Sequence, residues 1–161
     1  MKRTSILLIG ILASIQVFSQ KEKQVDQFIT QWHNAAARAD SEAYFGAIDE
    51  DGIYIGTDKT ERWTKQEFYD WSRKYFDAGK AWSFVAKERH IYFSKDGKTA
   101  WFDEVVDNGS TLWRGSGVVV KKKEGWKIMQ YVLSVPIPNE IYKDVLNLIN
   151  EYENRTIDDQ K

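Results

Sequence analysis

The sequence predicts an α+β fold, a cone-shaped α+β barrel in which N-terminal helices pack on a curved antiparallel sheet and an extra C-terminal helix follows. Three observations predict it. Apolar residues recur with the helical period up to Gly79 and with a period of two from Trp82 onward. The second half is cut by Asp96-Gly97, Asn108-Gly109 and Glu124-Gly125, each a hairpin signal. Helices come first and strands follow, the order of an α+β chain rather than a parallel α/β one. A twisted sheet of this kind wrapped around a long helix leaves a cone with one open end.

The elements follow in order. Met1-Lys2-Arg3 is a basic start, Ile6 to Ala13 an apolar run, and Val17-Phe18-Ser19 a cleavage site with small or β-branched residues at the required positions. That is the layout of a secretory signal over residues 1–19, and the run is short for a bilayer span. The remainder, 20–161, reads as one domain, expected in the periplasm or outside the cell with no membrane span after cleavage. Val25, Phe28, Ile29, Trp32, Ala35, Ala36 and Ala39 make an amphipathic first helix. Asp40-Ser41 breaks it, and Glu42 to Ala47 is a short second helix. Asp51-Gly52 reads as a turn before a strand at Ile53–Gly56.

Thr64 with Glu67 forms a capping box, and Trp63 with Phe68 a hydrophobic staple. The helix they start carries Phe68, Trp71, Tyr75 and Phe76 on one stripe and ends at Gly79. Strands at Trp82–Phe93, Thr99–Asp107, Leu112–Lys121 and Trp126–Val135 form a meander. Pro136 and Pro138 end it, and Asn139 is placed to cap a last helix with Ile141, Val145, Leu148, Ile149 and Tyr152 on one face.

Composition removes whole classes of function. The chain has 23 Lys+Arg against 24 Asp+Glu, so no basic field draws it to nucleic acid. Cysteine is absent, which excludes disulfides, thiolate metal sites and cysteine nucleophiles. With two histidines and no phosphate loop, nucleophile elbow or HExxH, neither a metal nor a cofactor is expected. The unusual figure is aromatic: 7 Trp, 8 Tyr and 8 Phe.

The stretches Tyr54-Ile55-Gly56-Thr57-Asp58, Glu61-Arg62-Trp63, Ala100-Trp101-Phe102-Asp103-Glu104, Arg114-Gly115-Ser116-Gly117-Val118 and Trp126-Lys127-Ile128 with Gln130-Tyr131, in this order of elements, resemble the nuclear transport factor 2-like superfamily and its SnoaL-like branch. The resemblance spans nearly all of 20–161. It implies a cone fold and a homodimer, and it covers isomerases, dehydratases, an epoxide hydrolase and binding modules without chemistry. Val132 stands where such sequences often carry a polar Asn or His.

Candidate site residues come from the hairpin register and the aromatics. A two-residue loop at Asp96-Gly97 sets Tyr92 opposite Trp101, His90 opposite Asp103 and Arg89 opposite Glu104. His90, Asp103, Tyr92 and Trp101 then share one face, and Arg89, Glu104, Ile91 and Phe102 the other. His90 with Asp103 is either an oriented general base or a surface cross-strand pair. Asp103 and Glu104, in an apolar strand, need a cation or a ligand to offset their burial, and Arg114 on the next strand is the candidate cation. Such a cluster serves a polar ligand group, acid–base work or the pinning of the sheet. Tyr44, Tyr54, Trp63, Trp71, Trp82 and Trp101 come from segments this fold gathers, either as packed core or as the wall of one cavity, with Arg114 and Gln130 as further ligand contacts in the second case. Gly115 and Gly117 are expected to leave space on one sheet face for a bulky neighbour or ligand. His33 reads as a partly exposed helix residue. The leading expectation is an exported domain binding a small, largely apolar molecule. The alternatives are a cofactor-independent isomerase, dehydratase or hydrolase, and a non-catalytic dimeric module.

Overall fold

The computed structural model describes residues 3–158, with side chains from 20 to 155. The elements are α1 (Arg3–Ala37), α2 (Ser41–Gly46), β1 (Ile48–Ile55), β2 (Arg62–Thr64), α3 (Lys65–Asp77), β3 (Val85–Phe93), β4 (Thr99–Asp107), β5 (Leu112–Lys122), β6 (Gly125–Ser134), a 3-10 turn (Asn139–Ile141) and α4 (Tyr142–Asp158). Side chains of the expected leader and the last residues of the tail lie outside the described residues. Among the described residues no helix is long and apolar enough to cross a membrane.

One sheet runs β2-β1-β6-β5-β4-β3. The meander β3 to β6 is antiparallel as expected. The sheet as a whole is mixed, because β1 lies parallel to β6 with Tyr54 beside Tyr131. The expected all-antiparallel sheet is corrected on this point. The cause is topological: α3 and the meander carry the chain across the fold before β6 comes back to β1. Asp51-Gly52 is no turn between elements. It lies within β1, where the register against β6 shifts between Ile48 and Ile53.

Local chemistry sets the helix ends. In α1 the Schellman bonds Ala39 N–H to Ala36 O and Asp40 N–H to Ala35 O close the helix, with Ala39 left-handed at φ 53°. Asp40 then caps α2 through the Ala43 amide. Thr64 and Glu67 make the expected capping box on α3. Gly79, at φ 64°, ends α3 in a second Schellman motif. Asn139 makes no cap. It lies inside the 3-10 turn, whose first position has no side-chain cap bond.

The concave face of the sheet closes over α1. Val25, Ile29, Trp32 and Ala36 of the helix meet Phe102, Val106, Val119, Ile128 and Tyr131 in one buried core. The outer face carries Tyr92 stacked on Trp101, with ring centroids 6.1 Å apart.

Candidate functional site

The open end of the cone holds a cavity of about 200 Å3. Local structure brings its walls together. Tyr54 of β1 faces inward opposite Trp63 of β2, and the capping box starts α3 directly after Trp63. Phe68 therefore lies against Trp63, ring centroids 5.5 Å apart, and stacks on Tyr54 at 3.9 Å. Trp71, one turn on, stacks on Trp63 at 4.9 Å. The Schellman turn at Gly79 sends the chain back, so that Trp82 covers Phe68 at 5.7 Å. Phe84, Trp113 and Leu133 complete the apolar lining, and Gly56, Thr57 and Glu61 form the polar edge.

Two polar groups at that edge have defined states. Glu61 Oε2 accepts from the Thr57 and Asp58 amides at 2.9 and 3.2 Å. Burial, reinforced by the Glu61 charge, pushes the Tyr54 phenol well above its ordinary value. Tyr54 is therefore a protonated hydroxyl over the whole physiological range.

A second polar centre lies deeper. Glu104, 1% exposed, is a buried hub. Its Oε1 accepts from His33 Nε2 at 2.7 Å and from the Tyr131 hydroxyl at 2.9 Å. Its Oε2 meets Arg89 Nε at 2.8 Å and Nη2 at 2.7 Å. Arg89 in turn holds α1, with Nη1 donating to Asp26 Oδ1 at 2.6 Å, to the Asp26 carbonyl at 3.0 Å and to Thr30 Oγ1 at 3.0 Å. Burial raises the Glu104 carboxyl, but the His33 hydrogen bond and the Arg89 guanidinium outweigh it, and the group lies below the usual carboxylate range. An ionised carboxylate only accepts, so His33 carries a proton on Nε2. Burial and the Glu104 charge hold Tyr131 well above a normal phenol. The hub does not line the cavity: Phe84, 6.1 Å from the His33 ring, stands at the cavity wall between them.

The structure sorts the candidate residues into four places, the first being the buried hub that holds Glu104. Tyr54, Trp63, Trp71 and Trp82 come together around the cavity. Tyr44 is fully buried behind them, stacked on Trp32 at 4.9 Å. His90, Trp101, Asp103, Arg114 and Gln130 are exposed on the outer face. The expected register holds, with His90 opposite Asp103 and Arg89 opposite Glu104. His90 Nε2 nonetheless bonds Glu88 at 2.8 Å, its neighbour along the same face of β3. Arg114 pairs with Val105 and Ser134 in register, so its side chain leaves the sheet on the face opposite Glu104. The arginine that meets the carboxylate is Arg89. Gly115 and Gly117 do leave space, and the protein's own Tyr131, Glu104 and Phe102 fill it.

The expected partial exposure of His33 is corrected: the residue is 3% exposed, because its ring turns inward to Glu104. Asp26, Thr30 and His33 stand at i, i+4 and i+7, a polar stripe beside the apolar one, and that spacing was the signal for a helix face meeting polar partners.

Comparison with known proteins fits this geometry. A search among curated proteins finds no match. Solved structures share the fold at low identity. An NTF2-like protein of unknown function from Pseudomonas putida superposes with a TM-score of 0.63 at 13% identity, over 76% of this chain and 91% of its own. A candidate dehydratase of the NTF2-like family from Streptomyces avermitilis gives 0.62 at 16%, over 72% and 96%. A candidate aromatic ring hydroxylase from Novosphingobium aromaticivorans gives 0.63 at 13%, over 74% and 91%. The SnoaL-like domain profile matches residues 25–138, which take in every wall of the cavity and every member of the Glu104 hub. With most of its length under that profile, the chain belongs to the SnoaL-like domain family, and it has the fold of the NTF2-like structures it superposes on.

Proposed function

We propose that this domain binds a small, largely apolar molecule in the aromatic cavity, with a polar group directed at Tyr54. The observation that carries the reading is the cavity wall itself, where Trp63, Trp71, Trp82 and Trp113 stand around a space of about 200 Å3 beside a protonated phenol. Acid–base turnover has less support. Glu104 is ionised with both oxygens engaged, and Asp103 and His90 lie outside the cone. Native mass spectrometry of protein from its own source should show a co-purifying small molecule, and Trp71→Ala should lose it. A wild-type mass with no added species, together with no quenching of tryptophan fluorescence by aromatic compounds, would refute the reading.

We further propose export and dimerisation. Export rests on the basic start, apolar run and small residues of 1–19, and the mature chain should begin at Gln20 on N-terminal sequencing. Dimerisation rests on the exposed Tyr92 and Trp101 of the outer sheet face. Two solved structures with this fold are described as candidate calmodulin-dependent kinase association domains. A monomeric mass by light scattering at micromolar concentration would remove that proposal.

A further inference from the structure

The aromatic cavity is small for a complete ligand site. Its volume of about 200 Å3 is below the roughly 300–1,000 Å3 usual for such sites. It holds a pair of fused rings and little more. Immediately outside it the β1–β2 loop and α4 flank a second, open hollow of about 640 Å3. Thr57 lines both spaces, so they lie side by side at that residue.

The outer hollow has a distinct chemistry. Its wall is the apolar stripe of α4, including Val145, Leu148 and Ile149. Leu148 is 64% exposed and Ile149 44%, although the stripe has the spacing of a face made to be covered. The polar side chains beside it are already engaged. Lys59 Nζ reaches Glu153 Oε1 at 2.5 Å, which holds α4 over the loop. Asp58 Oδ1 accepts from the Thr60 amide and hydroxyl, and Glu61 from two loop amides. An anionic ligand group would face the carboxylates of Asp58, Glu61 and Glu153 with Lys59 already paired, whereas an aliphatic chain only displaces water from the stripe.

Resting on the reading of the aromatic cavity as the binding site, we propose that the ligand is elongated and carries no negative charge. A flat ring system lies against Trp71 and Trp82, and an aliphatic tail runs past Thr57 along Leu148 and Ile149.

Prodan and laurdan test this, because they share one naphthalene ring and differ only in acyl chain length. Energy transfer from tryptophan reports both. Each methylene that leaves water multiplies affinity about fourfold, so laurdan should bind at least tenfold more tightly than prodan. Leu148→Asp, at an exposed position, should erase the difference and leave prodan binding unchanged. Trp71→Ala should weaken both dyes. Equal affinities for the two dyes, or a laurdan advantage that survives Leu148→Asp, would overturn the tail site while leaving the cavity reading intact. Failure of prodan itself to bind, or its indifference to Trp71→Ala, would overturn the cavity reading and the tail site with it. A drop in mass by light scattering on Leu148→Asp would assign the stripe to a second copy of the chain and likewise overturn the proposal.

Discussion

The Tyr131 hydroxyl donates to Glu104 Oε1 across 2.9 Å, through space that any side chain at residue 115 would occupy. A Cβ at Gly115 would stand 2.2 Å from that hydroxyl oxygen and 2.9 Å from Glu104 Oε1. The hub therefore depends on a residue that takes no part in it.

Gly115→Ala should cost about 2 kcal/mol or more in urea denaturation, through the clash and the loss of a hydrogen bond to a charged group. Tyr131→Phe removes the clashing oxygen. In the Gly115→Ala background it should cost markedly less than in wild type, where about 1.5–3 kcal/mol is expected. Additive effects of the two substitutions would contradict the account.

Arg89 and Arg114 should behave oppositely. Arg89→Ala leaves the Glu104 carboxylate buried without its cation, and the expected loss is about 3–5 kcal/mol. Arg114→Ala, on the exposed face, should stay within about 0.5 kcal/mol of wild type. Thermal unfolding of the two variants side by side decides the assignment.

Acid should weaken the fold partly through Glu104. Its folded-state pKa is lowered from 4.5, so the unfolded chain takes up the proton first as pH falls. The resulting stability is complete above about pH 4.5 and is lost as pH drops through the folded value. Glu104→Gln should show a shallower loss below that pH in denaturation series. Asp49 and Asp107, also lowered, by Lys122 and by the Gly109 amide with Lys87, titrate in both proteins and cancel in the comparison. Identical slopes would remove Glu104 from the explanation.

Ala39→Gly should stabilise. Ala39 holds φ 53° at the end of α1, where its Cβ is strained and glycine is at ease. The expected gain is about 0.5–1 kcal/mol, after allowing for the larger entropy of glycine in the unfolded chain. A loss of stability on differential scanning calorimetry would show that Ala39 packing outweighs the strain.

Much of this fold is written in short-range patterns. The Asp96-Gly97 turn gives the β3–β4 register as far as Arg89 and Glu104, and the Thr64–Glu67 box gives the start of α3. Both are local. Parity along a strand separates Asp103 from Glu104, but it does not say which parity faces inward. That depends on where α1 docks, and on the Asp26–Thr30–His33 stripe that meets Arg89 and Glu104. Trp101 has the same ambiguity, because a period of two assigns it to a face and leaves that face unnamed. The parallel pairing of β1 with β6 joins Tyr54 to Tyr131 across most of the meander, and no turn residue announces it. Three residues of β2 are too few to show a period at all. Of the cavity, Tyr54, Trp63, Trp71 and Trp82 were legible as aromatics flanking identifiable elements. Phe84 and Trp113 were not, because each becomes a wall only when the sheet curls.

The hub also sets an order of events in time. Arg89 and Glu104 are 15 residues apart and meet as soon as one hairpin closes, whereas His33 and Glu104 are 71 apart. Loop closure delays the longer contact, so the sheet side of the hub is expected to form in the folding nucleus and the α1 side after the barrier. Asp26→Ala should then quicken unfolding and leave the folding rate almost untouched. The helix synthesised first is the one secured last, and its apolar face is fully covered only once the final strand, which brings Ile128 and Tyr131, has been made.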